Sequence, residues 1–207
     1  MNGVTRSARA TTPGAVAAVE ARRRALPNGW WGAALLVATE ATLFGTLIAS
    51  YFYLYGRAAS WPPPGIDRPS VALPLALTAA LVASTVPILR ASASARVGRA
   101  GATAAWLTLA LAVQAGYLAV QVVQFKNDLD SFTPSTGGAY ASSYFTLLTV
   151  HHAHVLVGIL LDVWLLSRLA GGLTSYRVTA TRVIALYWSF VNTAAIAVVL
   201  TLLSPSL

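Results

Sequence analysis

The sequence contains no cysteine, which removes disulfides, thiolate metal sites and redox thiols from consideration. Charge is nearly as scarce: 10% of the 207 residues are charged, against 57% hydrophobic. No repeat or low-complexity stretch is visible. The N-terminal segment lacks the short apolar core and cleavage site of a secretory signal peptide. The "RRR" at 22–24 precedes a span too long for a twin-arginine signal and reads as an anchor for the first helix. Histidine occurs only at His151, His152 and His154.

Long apolar runs are what the chain has in abundance. A bilayer core about 30 Å thick takes about 20 apolar residues of helix to cross. Five stretches reach that length, about 31–55, 71–89, 102–125, 142–167 and 180–203, and they leave no room for a sizeable soluble domain. The fold class expected is all-α: a polytopic five-helix membrane bundle over 30–207, behind a basic cytoplasmic tail at 1–29 that ends at the breaker "LPNG". The loop "SWPPPGIDRP" excludes helix, since consecutive prolines lack N–H donors and their rings clash with helical geometry. Pro87, just before Arg90, marks the inner end of the second helix in this reading.

The net charge of +8 could suggest nucleic acid, but its distribution points to topology. Of the 14 basic residues, only Arg57, Arg68 and Lys126 lie in the loops after helices one and three, offset by Asp67, Asp128 and Asp130. The others precede helix one or connect helices two to three and four to five. Basic residues concentrate in cytoplasmic loops, so the N-terminus is expected inside and the C-terminus outside, with no nucleic-acid partner. Trp30 and Trp31 at one end of helix one, and Tyr53, Tyr55 and Trp61 at the other, fit interfacial aromatic belts. Stretches such as "AALVAST" and "AGATAAW" supply small residues for close helix packing.

Within the spans the ionisable residues are Glu40, the three histidines and Asp162. A charged side chain near the centre of a membrane helix costs at least about 2.5–3.5 kcal/mol, so each is a functional hypothesis by default. Glu40 lies ten residues after Trp30, about 15 Å along a helix at 1.5 Å per residue. It could serve a proton relay or an interhelix hydrogen bond; the shortage of further acids along a path favours the bond. The histidines could hold a metal, because neutral imidazole is the commonest metal ligand and His151 and His154 stand at i, i+3. A metal site would still need ligands beyond Glu40, and bis-histidine haem ligation would need facing helices. The reading taken is a satisfied polar cluster in which Glu40 meets His151 or His154 at the same depth, with His152 turned towards a partner subunit or lipid. Asp162, six residues before Arg168, is expected near the inner interface, within reach of water or a loop arginine.

Several segments, in order, resemble subunit III of the haem–copper (cytochrome c) oxidase family. "ATEATLFGTLIASYFYL" is similar to that family's Glu-containing helix, and Trp61, Pro62 and Pro63 to its Trp-Pro-Pro loop. Gln121 and Gln124 sit in the place of its Gln-x-x-Glu-Tyr. His151, His154, Val155 and Gly158 match its His-x-x-His-Val…Gly segment. Tyr187, Trp188, Ser189, Phe190 and Asn192 resemble its Tyr-Trp-His-Phe-Val-Asp. Gln124, Ser189 and Asn192 replace a Glu, a His and an Asp, which keeps interhelix hydrogen bonding but removes charge. The five spans correspond to the last five of the family's seven-helix form.

The resemblance implies a non-catalytic accessory subunit of a respiratory terminal oxidase, in a bacterial cytoplasmic membrane. It would carry no haem or copper of its own, bind phospholipid, and pack on the catalytic subunit I, which holds the metals and couples dioxygen reduction to proton translocation. Two alternatives stay open at this point: an accessory subunit of nitric oxide reductase, and a membrane-embedded metalloenzyme using the histidines. A transporter would need internal symmetry or mid-span breaks, and neither is visible.

Overall fold

The computed structural model describes residues 28–206; the tail expected at 1–29 falls almost wholly outside them. Six helices follow one another: α1 (Asn28–Tyr55), α2 (Ala72–Ala83), α3 (Thr85–Arg96), α4 (Ala100–Ser131), α5 (Pro134–Leu169) and α6 (Ser175–Leu203). Because α2 and α3 run on as Ala72–Arg96, they make five spans long and apolar enough to cross a membrane.

Pro87 does not end the second span, and this corrects the expected boundary near residue 89. Proline is tolerated in the first turn of a helix, where its missing N–H has no partner to lose. Pro87 occupies that place in α3, and the preceding helix closes at Ser84, whose N–H reaches back to Ala80 and Leu81. The result is an interruption of the helix at Ser84, which keeps helical φ/ψ, with the span then continuing to Arg96.

Other boundaries lie further out than the apolar runs suggest, and at α5 and α6 capping groups start the helix in polar sequence. At the start of α5, Thr133 and Thr136 form a reciprocal capping box with Pro134 in the first turn. Gly138, at φ +59°, then interrupts the helix before the long apolar part begins; only glycine adopts that conformation cheaply. At α6, the Thr174 hydroxyl accepts from the Arg177 N–H, and the Arg177 guanidinium donates to the carbonyls of Gly171 and Gly172.

Helix α6 is the central element. More than half of its apolar stretch is buried within the chain, 56%, against 6% for α1. It packs against α1, α2, α3 and α5. One apolar cluster gathers Leu81, Ile88, Leu107, Val155, Leu165 and Trp188; a second gathers Phe44, Tyr51, Trp61, Tyr140, Leu147 and Val198. Trp61 thus departs from the interfacial belt expected of it. It is buried, edge-on to Tyr51 and Tyr140 at ring separations of 5.3 and 5.1 Å, while Tyr53 and Trp31 remain exposed.

Candidate functional site

The structure separates the histidines. His154 turns towards α1, where its Nε2 lies 3.1 Å from Glu40 Oε2. Its Nδ1 lies 2.7 Å from the Val150 carbonyl oxygen. A carbonyl only accepts, so Nδ1 is the donor in that bond. The rings of Phe44 and Phe190 stand edge-on to the imidazole at 5.1 and 6.2 Å. The Tyr187 hydroxyl donates to the His154 carbonyl at 2.9 Å, tying α6 to the same turn of α5.

His151 does not join that pair. It turns towards α4, is 2% exposed, and sets Nε2 at a long 3.3 Å from the Tyr117 hydroxyl. Gln121 Nε2 donates to the same hydroxyl at 3.2 Å. The tyrosine proton is therefore free to point at Nε2, which leaves Nδ1 as a buried N–H with no partner among the described residues. His152 faces a shallow apolar groove with Leu118, Val122, Phe125 and Leu156, and its Nε2 is likewise unpartnered.

Tyr117 and Gln121 belong to a larger pattern. Gln114, Tyr117, Gln121, Gln124 and Asp128 recur at alternating spacings of three and four, which places them on one face of α4. That face looks into the bundle: Gln114, Tyr117 and Gln121 are buried. At one end of the stripe the Tyr144 hydroxyl donates to Asp128 Oδ2 at 2.7 Å. At the other, with its amide oriented by its neighbours, Gln114 donates to Asp162 Oδ2 at 2.8 Å. Trp188 Nε1 donates to the same carboxyl oxygen at 3.0 Å.

Asp162 therefore reaches neither water nor a loop arginine. It is 0% exposed and joins α4, α5 and α6 through two donors on one oxygen. Lying six residues before Arg168 gives its height along α5 but not its direction, and α5 turns this side chain towards α4 and α6. Gly158 makes room for the arrangement: a Cβ there would meet the Trp188 ring at 2.5 Å.

The remaining motif positions are accounted for locally. Asn192 Nδ2 donates to Thr85 Oγ1 at 2.7 Å, pinning α6 to the break between α2 and α3. Ser189 bonds back to the Ala185 carbonyl at 2.7 Å, and Gln124 accepts from Asn127 at 3.3 Å. Val155 is fully buried, while Pro62 and Pro63 are half-buried beside Trp61. Among the described residues no group of three or more His, Asp and Glu side chains is placed to hold a metal. What the geometry provides is interhelix hydrogen bonding and polar-lined space.

Gln114 and Tyr117 were not singled out from the sequence, and Asp128 was placed in a loop, whereas α4 runs on to Ser131 and carries it on the same face. The signal was present in the spacing, but reading only the ionisable residues of each span passes over uncharged amides and a tyrosine.

Comparison with known proteins gives a consistent answer. Residues 21–203 match the family model described as cytochrome c oxidase subunit III. The chain is similar to the cytochrome bo(3) ubiquinol oxidase subunit 3 of Pseudomonas aeruginosa, 31% identical over 169 residues, covering 79% of this chain and 77% of that one. It is 29% identical over 166 residues to the cytochrome c oxidase subunit 3 of Bacillus subtilis, covering 79% and 78%. The quinol oxidase subunit 3 of Bacillus spizizenii is 27% identical over 165 residues, with 79% of each chain covered.

Proposed function

Because the chain belongs to the cytochrome c oxidase subunit III family, an integral membrane subunit of respiratory haem–copper oxidases, we propose that it stabilises the catalytic subunit without carrying out chemistry itself. The observation behind this reading is where its intramembrane polar groups go. Glu40, His154, Asp162, Gln114, Trp188, Asn192 and Tyr187 all bond between helices of this chain. Such a bundle is built to hold its own shape. Haem and copper belong to a partner, subunit I, which this chain flanks together with bound phospholipid in the bacterial cytoplasmic membrane. On this reading the basic segment before α1 faces the cytoplasm and the C-terminus lies outside.

Affinity purification through a tag on this chain tests the reading. A haem-bearing partner with dioxygen-consuming activity should copurify, and deleting the chain should shorten the working life of that activity. Purification without a haem-bearing partner would overturn it. Relatives include subunits of both quinol and cytochrome c oxidases, so assays with each donor decide the electron source. Reporter fusions test the orientation: activity outside the cytoplasm after Leu207 and inside it near Gly98 is expected, and the reverse would overturn it.

A further inference from the structure

Two cavities meet at the end of the bundle that carries the proline-rich loop. The outer one, about 250 Å³, is lined by Asp67, Arg68, Ser131 and Tyr140. The inner one, about 100 Å³, lies between α2, α4, α5 and α6, with Thr78, Gln121, Gln124, Tyr117 and His151 in its walls. Asp128 and Tyr144 line both, and their 2.7 Å hydrogen bond stands at the junction.

We propose that the two cavities form a water-filled inlet from that end of the bundle to His151, with the Tyr144–Asp128 bond as its gate.

The inner cavity is two-sided: Leu73 and Leu77 of α2 and Val198 and Leu202 of α6 make an apolar wall, and the polar α4 wall opposite is what argues for water. Polar side chains within a membrane bundle face either one another or a water-filled cavity. Asp128, Gln124, Gln121 and Tyr117 present one continuous polar face of α4 to this space, about 16 Å long at 1.5 Å per residue. An acyl chain could satisfy none of these groups. Two side chains in these walls each carry a polar atom with no partner among the described residues, Oη of Tyr140 by the outer cavity and Nδ1 of His151 by the inner one, and both atoms lie just behind the cavity surface. Buried polar groups left without protein partners are where internal waters bind, and at about 30 Å³ per molecule the inner cavity has room for about three. No lysine or arginine lines the inner cavity, and its single acid is Asp128, so it also suits small cationic solutes over anions.

Because the sequence has no cysteine, single thiols can be introduced without background in this chain. Thr78 and Ala195 line the inner cavity and are buried, whereas Ala80 lies on the outward face of α2. Open membrane fragments bearing the assembled complex are treated with a small cationic methanethiosulfonate, which reacts with the thiolate and so requires water at the thiol. Thr78→Cys and Ala195→Cys should each label at least about tenfold faster than Ala80→Cys, and either variant suffices if the other fails to assemble. Adding Tyr144→Phe, which removes the bond to Asp128, should raise the cavity rates further. Rates no faster than Ala80→Cys, or labelling only by a lipophilic maleimide, would show a dry or lipid-filled space and overturn the inlet. Rates unchanged by Tyr144→Phe would overturn the gate.

Discussion

Helix α5 carries polar side chains on two sides, and the two sides live in different surroundings. Towards α1, His154 and Glu40 pair with side chains 15% and 29% exposed. Towards α4 and α6, Asp162 and Gln114 are 0% exposed and His151 is 2% exposed. The first pair sits under a helix that hardly buries itself within this chain, so a partner left alone has room to change rotamer. The second has no such freedom. A buried donor deprived of its acceptor bears the full desolvation cost, about 1–3 kcal/mol, whereas the net gain from a made bond is about 1 kcal/mol. Burial, more than bond length, ranks these contacts.

That ranking can be broken by substitution, reading subunit retention and unfolding of the detergent-solubilised complex. The largest effect expected is from Asp162→Leu, which leaves the Trp188 and Gln114 donors unpaired and should cost about 2–5 kcal/mol. Asp162→Asn sharpens the point, since an amide oxygen still accepts from both donors; it should stay within about 1 kcal/mol and leave turnover unchanged. A loss as large as that of the leucine variant would mean that the carboxyl does more than accept hydrogen bonds.

Next comes Gly158→Val, which drives a side chain into the Trp188 ring 2.5 Å from the new Cβ. Overpacking of this kind costs about 1–3 kcal/mol, and wild-type stability would show that α5 and α6 can separate freely here. Asn192→Ala removes the tie between α6 and Thr85 and should cost about 1 kcal/mol. Its effect should vanish in a Thr85→Ala background, which a double-mutant cycle would reveal. The smallest effect belongs to Glu40→Ala. Interhelix bonds in membranes average about 0.6 kcal/mol and reach about 1.7, so the bundle should loosen slightly at α1 and retain its partner. If Glu40→Ala proved as damaging as Asp162→Leu, the contrast between the two sides of α5 would be wrong.

Much of the architecture was legible in the residues. The five apolar runs mark the spans, and the Trp-Pro-Pro loop marks a non-helical connection. Glu40 and the histidines stood out because charge is so rare in the chain. The helix ends were less legible: Pro87 sits inside a span that it was expected to close, and the Thr133 and Thr174 caps carry α5 and α6 beyond their apolar cores. Asp162 was the clearest misreading. Distance along the chain from Arg168 gives height on a helix, but says nothing about which neighbour the side chain faces.

The sequence by itself determined the solvent, the number of crossings and the secondary structure, because a lipid environment requires every backbone group to be bonded within its own helix. It also determined the polar stripe on α4, since a spacing of three and four is a property of the helix alone. Only the tertiary structure decided which histidine meets Glu40, that Trp188 and Gln114 share one oxygen of Asp162, and that Tyr144 closes on Asp128. Those pairings depend on the rotation and crossing of helices distant in sequence. Rotation is set by close contacts such as Gly158 against Trp188, and no periodicity within a single helix encodes them.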